Sequence, residues 1–141
     1  MREPVVLYWD SSAIISLLFR DQFSENARAW LKREGYHFIS SLTLAEAYGV
    51  LARLKKERLL AEFLIDEAYE ILEEGPWRRI NIIPSWDLLN TLASRVHLCG
   101  SLLWHIAAAK TLQRELPELI MLSYDENLRT ACMAEKMEIA R

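Results

Sequence analysis

The sequence carries only two cysteines, Cys99 and Cys132, far apart and in unrelated contexts. That excludes a disulfide-dense secreted scaffold and the spacing of a zinc finger, and it fits a reducing, cytoplasmic setting. Long apolar runs are missing too. The longest fall well short of the roughly 20 residues that span a bilayer, and Met1-Arg2-Glu3-Pro4 leads into too few apolar residues for a signal-peptide core. No membrane association is expected. Glycine and proline number four each and form no linker, so no boundary is placed and residues 1–141 read as one domain. An excess of positive charge is also absent. Seventeen Lys and Arg against twenty Asp and Glu give a net charge of −3, which confines any nucleic-acid contact to a local patch.

What is present is a core-forming composition, 52% hydrophobic, arranged as short strands alternating with helices. Residues 5–9 form a continuous apolar run that reads as a buried parallel strand. Helices are expected over 13–19 and 24–34, then a strand over 37–40. Ser41 or Thr43 can cap a helix over 42–56, and a further helix follows over 59–74, stopped by Gly75-Pro76. A strand over 79–83, helices over 86–97 and 102–114, a strand over 119–122 and a helix over 125–135 complete the alternation. Residues 137–140 could add a short last strand. The pattern implies an α/β domain with a central, mostly parallel sheet of four or five strands and helices on both faces.

In such sheets ligands gather beyond the carboxyl ends of the strands. Asp10 follows the first strand, Ser40 and Ser41 the second with Glu46 one turn further, and Ser123 and Asp125 the last. Taken singly, Asp10 and Asp125 read as helix N-caps, and Glu46 as the last residue of a Thr43-Leu44-Ala45-Glu46 capping box. Taken together, three carboxylates at one edge repel by about 1–4 kcal/mol per close pair and suit a hard cation such as Mg²⁺ or Mn²⁺. A cation of that kind activates water and steadies a departing phosphate oxygen.

Four segments then carry a resemblance. Tyr8-Trp9-Asp10-Ser11-Ser12-Ala13 resembles the opening strand and turn of PIN-domain ribonucleases. Ser40-Ser41-Leu42-Thr43-Leu44-Ala45-Glu46 is similar to their second block, Gly100 to Ala109 to their third, and Leu122-Ser123-Tyr124-Asp125-Glu126-Asn127 to their fourth. The blocks stand in the family order across almost the whole chain. Together with the length and the mid-chain helical pair, they resemble the VapC toxins of prokaryotic toxin–antitoxin pairs. The resemblance implies a Mg²⁺- or Mn²⁺-dependent endoribonuclease in which Asp10, Glu46 and Asp125 hold the metal and Ser12 orients Asp10. It also implies an RNA substrate and an antitoxin partner.

One position departs from that pattern. Where the third block has its acid, this chain has Leu102, leaving three acids instead of four; Ser101 projects about 100° away on a helix and is a poor substitute. A PIN domain that holds RNA or an antitoxin without cutting is therefore the alternative. An aspartyl-phosphate enzyme using Asp10 ranks below both, since Ser12 stands where that class has a second Asp. His105, beside Trp104 and a run of alanines, reads as a hydrogen-bonded packing residue.

For RNA phosphates the candidates are Arg53, Lys55, Lys56 and Arg58, a cluster at the joint between two helices, with Arg78 and Arg79 further on. The same cluster also suits a solvated helix C-terminus. Trp77 and Trp86 border loops and are candidates for base stacking. The apolar helical pair over 44–72 suits a homodimer or capture of an antitoxin helix.

Overall fold

The computed structural model describes residues 2–141. Strand β1 (Val5–Trp9) is followed by helices α1 (Ser11–Leu18) and α2 (Ser24–Leu31) and by β2 (Gly35–Ser40). Next come α3 (Ser41–Lys56), α4 (Glu62–Glu74) and β3 (Trp77–Ile80), then α5 (Trp86–Arg95), α6 (Gly100–Glu115), β4 (Ile120–Leu122) and α7 (Glu126–Ala134). The strands pair in the order β3-β2-β1-β4, and every pairing is parallel. All four strands therefore end at the same edge of the sheet.

Side-chain alternation along β1 divides the core. Val5, Leu7 and Trp9 point to the face covered by α1–α4, where they meet Ile14, Leu51, Ile65 and Leu72. Val6 and Tyr8 point to the face covered by α5–α7, where they meet Leu92, Ile106 and Leu128. All five β1 residues are buried. A strand covered on both faces gains hydrophobic stabilisation on both, which is why its sequence is uninterruptedly apolar.

Several boundaries differ from the sequence expectation. The strand expected over 79–83 lies upstream as β3, because Trp77 pairs with His37 and stands edge-on to Trp9 with ring centroids 5.2 Å apart. Its indole N–H donates to the Ile71 carbonyl at 2.9 Å. Trp77 is thus a packing residue and not a stacking platform. The last strand expected over 137–140 reduces to a single bridge, Met121 to Ile139. The helix expected from residue 59 begins at Glu62, since Arg58 adopts a left-handed φ of 53° that breaks the chain away from α3. Gly35, expected to follow a helix, opens β2 with φ +134°, and a Cβ there would lie 1.9 Å from the Val5 carbonyl oxygen. Glycine is what lets β2 start flush against β1.

His37 ties β2 to its neighbours. Its Nδ1 accepts from the Trp9 indole at 3.1 Å, and Nε2–H donates to the Arg33 carbonyl at 2.8 Å. This arrangement requires the neutral ring, and burial holds the His37 pKa below its ordinary value of 6.5. The unfolded chain takes up the proton first, so this contribution to stability is complete above about pH 6.5 and is lost as pH falls below it. Melting temperature should decline from pH 7 to pH 5.5, and His37→Gln should flatten that slope.

Candidate active site

Asp10 is the residue immediately after β1 and is 1% exposed. It caps α1: Oδ1 accepts from the Ala13 N–H at 2.8 Å and from the Ser12 hydroxyl at 2.7 Å. Oδ2 accepts from the Ser123 hydroxyl at 2.5 Å. Burial pushes the Asp10 carboxyl above its ordinary range, against the pull of Ser123, Ala13 and Ser12 and the nearby His105 ring. The N-cap reading and the strand-end reading of Asp10 are therefore both realised in one side chain.

Asp125 reaches the same edge through β4 and caps α7, its Oδ1 accepting from the Leu128 N–H at 2.9 Å. Ser123 joins the Asp10 carboxylate to the Asp125 backbone. Its hydroxyl donates to Asp10 and accepts from the Asp125 N–H at 3.1 Å. Ser12 repeats the device, donating to Asp10 and accepting from the Tyr124 N–H at 2.9 Å. The expected orienting contact of Ser12 is present in the geometry.

Glu46 has a different role from the one its local sequence suggests. Ser40, and not Ser41 or Thr43, caps α3, accepting from the Thr43 N–H at 3.2 Å. With the cap one turn earlier, Glu46 lies beyond reach of a capping box. It accepts from the Ser11 hydroxyl at 2.8 Å, and His105 Nε2 stands 3.5 Å from the same oxygen. His105 and Ser11 hold Glu46 below the ordinary carboxylate range. Because Ser11 donates to Glu46, its oxygen accepts from His105 Nε2–H at 3.1 Å, and His105 Nδ1 shares a hydrogen bond of 2.8 Å with the Tyr8 hydroxyl. Burial pushes the Tyr8 phenol up, so that it stays protonated. His105 is 1% exposed and hydrogen-bonded, as its sequence context suggests, but its bonds run to the acidic edge.

The residues gathered here are serines as much as acids. Ser123 stands out in the sequence as a polar residue after a strand, and Ser11 and Ser12 only as members of the first motif; the bridging by all three is a long-range property that no local spacing carries. Among the described residues no three His, Cys, Asp or Glu side chains stand close enough together to hold a metal ion, so Asp10, Glu46 and Asp125 share an edge without forming one three-acid group. The donor set is nonetheless of the hard, oxygen-only kind. Mg²⁺ is ordinarily held by one or two carboxylates with water and substrate phosphate completing its shell, and Asp10 and Asp125, which follow the neighbouring strands β1 and β4, offer carboxylates of that kind, with Glu46 on α3 at the same edge. A closed protein cage does not fit. Leu102, on the first turn of α6, packs against the Tyr8 side of the core and offers no oxygen.

The basic cluster falls elsewhere. Arg53, Lys55 and Lys56 occupy the last turn of α3 and Arg58 follows it. Arg53 lies seven residues beyond Glu46, about 10 Å along the helix, and pairs with Glu57 at 3.8 Å. This places the cluster away from the acidic edge, where a favourable macrodipole is its local explanation. Trp86 is 88% exposed at the start of α5.

The sequence pattern of the PIN domain matches residues 7–83, more than half of the chain. The chain belongs to the PIN domain family. No curated protein matches it in sequence. Its fold is similar to that of PAE2754 from Pyrobaculum aerophilum, with a TM-score of 0.56 and 18% identity over 90% of this chain and 84% of that one. It is similar also to VapC20 of Mycobacterium tuberculosis, a sarcin-ricin loop cleaving toxin, with a TM-score of 0.59 and 16% identity over 89% of this chain and 94% of that one. A third likeness is to VapBC2 from Rickettsia felis bound to a promoter DNA fragment, with a TM-score of 0.63 and 13% identity over 96% of this chain and 98% of that one. At these identities the likeness is one of fold. No helix among the described residues is long and apolar enough to cross a membrane.

Proposed function

We propose that this PIN domain is a VapC-type toxin, a Mg²⁺- or Mn²⁺-dependent endoribonuclease acting in the cytoplasm. The observation that carries the reading is the serine-bridged acidic edge, where Asp10 is buried at a cost that a cation would offset. Asp10, Glu46 and Asp125 would hold the metal, which supplies an activated water and stabilises charge on the leaving phosphate oxygen. The chain's own residues do the rest. Ser12, Ala13 and Ser123 lock Asp10 in one orientation. His105 and Ser11 keep Glu46 ionised and pointed at the edge.

In this reading an RNA running along α3 meets Arg53, Lys55, Lys56 and Arg58, which hold flanking phosphates without regard to sequence. An antitoxin protein restrains the toxin in the cell, and the apolar pair α3 and α4 supports a homodimer, Phe63 being 70% exposed on α4.

Cleavage of a structured RNA in Mg²⁺ or Mn²⁺ tests the reading. Activity should vanish in chelator and return on adding metal. RNA that is bound and left intact under every metal condition would identify a non-cleaving PIN domain instead, the alternative that Leu102 favours.

A further inference from the structure

Beside the acidic edge lies a cavity of about 470 Å³ that the reading above does not use. Its aromatic wall is Phe23, at the start of α2, stacked on Tyr124 with ring centroids 4.7 Å apart and planes inclined by 8°. The Tyr124 hydroxyl donates to Asn26 Oδ1 at 2.6 Å, which fixes the ring. Glu126 and Arg129 line the same cavity from α7. Arg129 donates through one terminal nitrogen to the Ser123 and Ala140 carbonyls at 3.0 and 2.9 Å, so its guanidinium plane is set and its other N–H groups are spare. Neither Glu126 nor Arg129 takes part in an ion pair among the described residues.

The cavity is joined to the acidic edge through the backbone. Tyr124 lies between Ser123 and Asp125, and its N–H donates to Ser12, which donates to Asp10. A nucleotide whose phosphate sits at that edge has its base within reach of the cavity. An aromatic face takes any base. A carboxylate and a guanidinium on one wall select among them: guanine presents N1–H and N2–H together as donors to a carboxylate, and O6 and N7 together as acceptors for a guanidinium. Adenine lacks that paired donor edge.

We propose that the Phe23, Tyr124, Glu126 and Arg129 cavity is a base-binding subsite that takes an unpaired guanine of single-stranded RNA next to the acidic edge. The subsite rests on the ribonuclease reading for its purpose but not for its binding chemistry. The test uses the full chain in chelator with four labelled RNA pentamers, UUGUU, UUAUU, UUCUU and UUUUU, followed by fluorescence anisotropy. Equal length and charge leave the central base as the sole variable.

The expected result is tighter binding of UUGUU, by about fivefold or more, the size of one good base contact. Glu126→Gln, an exposed change with no packing cost, should erase that preference, and Phe23→Leu should weaken UUGUU binding by a similar factor. Equal binding of all four pentamers, a guanine preference that survives Glu126→Gln, or no saturable binding would each overturn the proposal. Guanine-selective binding in a protein that cuts no RNA when metal is supplied would sink the ribonuclease reading and leave the subsite standing.

Discussion

Asp10→Asn is expected to lower metal-dependent RNA cleavage by roughly 100-fold or more while raising the melting temperature of the metal-free protein. The two effects have one cause. Removing a carboxylate that helps hold a Lewis-acidic cation forfeits several kcal/mol of transition-state stabilisation. The same carboxylate is a burden without the cation, because burial pushes its pKa up despite the three donors around it. Asparagine keeps Oδ1 for Ser12 and Ala13 and is as good an N-cap as aspartate. Its amide donates where Oδ2 accepted, and the Ser123 hydroxyl turns to receive it.

The sign of the pH dependence follows. With a folded-state pKa above the unfolded value, the folded protein binds the extra proton. Asp10 therefore contributes most favourably below its ordinary pKa of 3.8, and that contribution is lost as pH rises through the folded pKa. Wild type and Asp10→Asn should melt together near pH 4 and separate by neutral pH, by about 3 °C for each 1 kcal/mol of charge burial removed. Added Mg²⁺ should raise the wild type and not the variant. A variant less stable than wild type in chelator at pH 7 would show that the carboxylate serves the fold alone.

Residue chemistry made some of this site legible and left the remainder hidden for identifiable reasons. Strand β1 was readable to the residue, because a strand buried on both faces is written as an unbroken apolar run and Asp10 ends it. The parallel alternation then assigns Asp10, Glu46 and Asp125 to one edge. Glu46 shows where local pattern misleads: Thr43-Leu44-Ala45-Glu46 has the form of a capping box, yet Ser40 takes the cap and Glu46 answers to Ser11, 35 residues away. His105 lies 94 residues from Ser11 and 97 from Tyr8. The Phe23–Tyr124 stack joins α2 to the turn after β4. Periodicity within an element cannot report such contacts, and the tryptophans that drew attention for stacking went to the core at Trp77 and to open solvent at Trp86.

Leu102→Asp is expected to act in the opposite sense to Asp10→Asn, lowering the Mg²⁺ concentration needed for half-maximal cleavage by about tenfold, the worth of roughly 1.4 kcal/mol. Leu102 sits on the first turn of α6, where a carboxylate is favoured by the helix dipole by about 0.3–1 kcal/mol. Gly100 and Ser101 of that same turn line one cavity with Ser41 and Ala45 at the start of α3, next to Glu46, so a new acid there joins the existing ones instead of standing apart. The cost is packing, since Leu102 covers the Tyr8 side of the core, and close like charges repel by about 1–4 kcal/mol per pair. Metal-free Leu102→Asp should therefore melt below wild type and recover in excess Mg²⁺, a metal-dependent rise larger than that of wild type. An unchanged metal requirement, with the stability loss unrepaired by Mg²⁺, would show that position 102 lies outside the metal's reach and that three acids are all this edge can use.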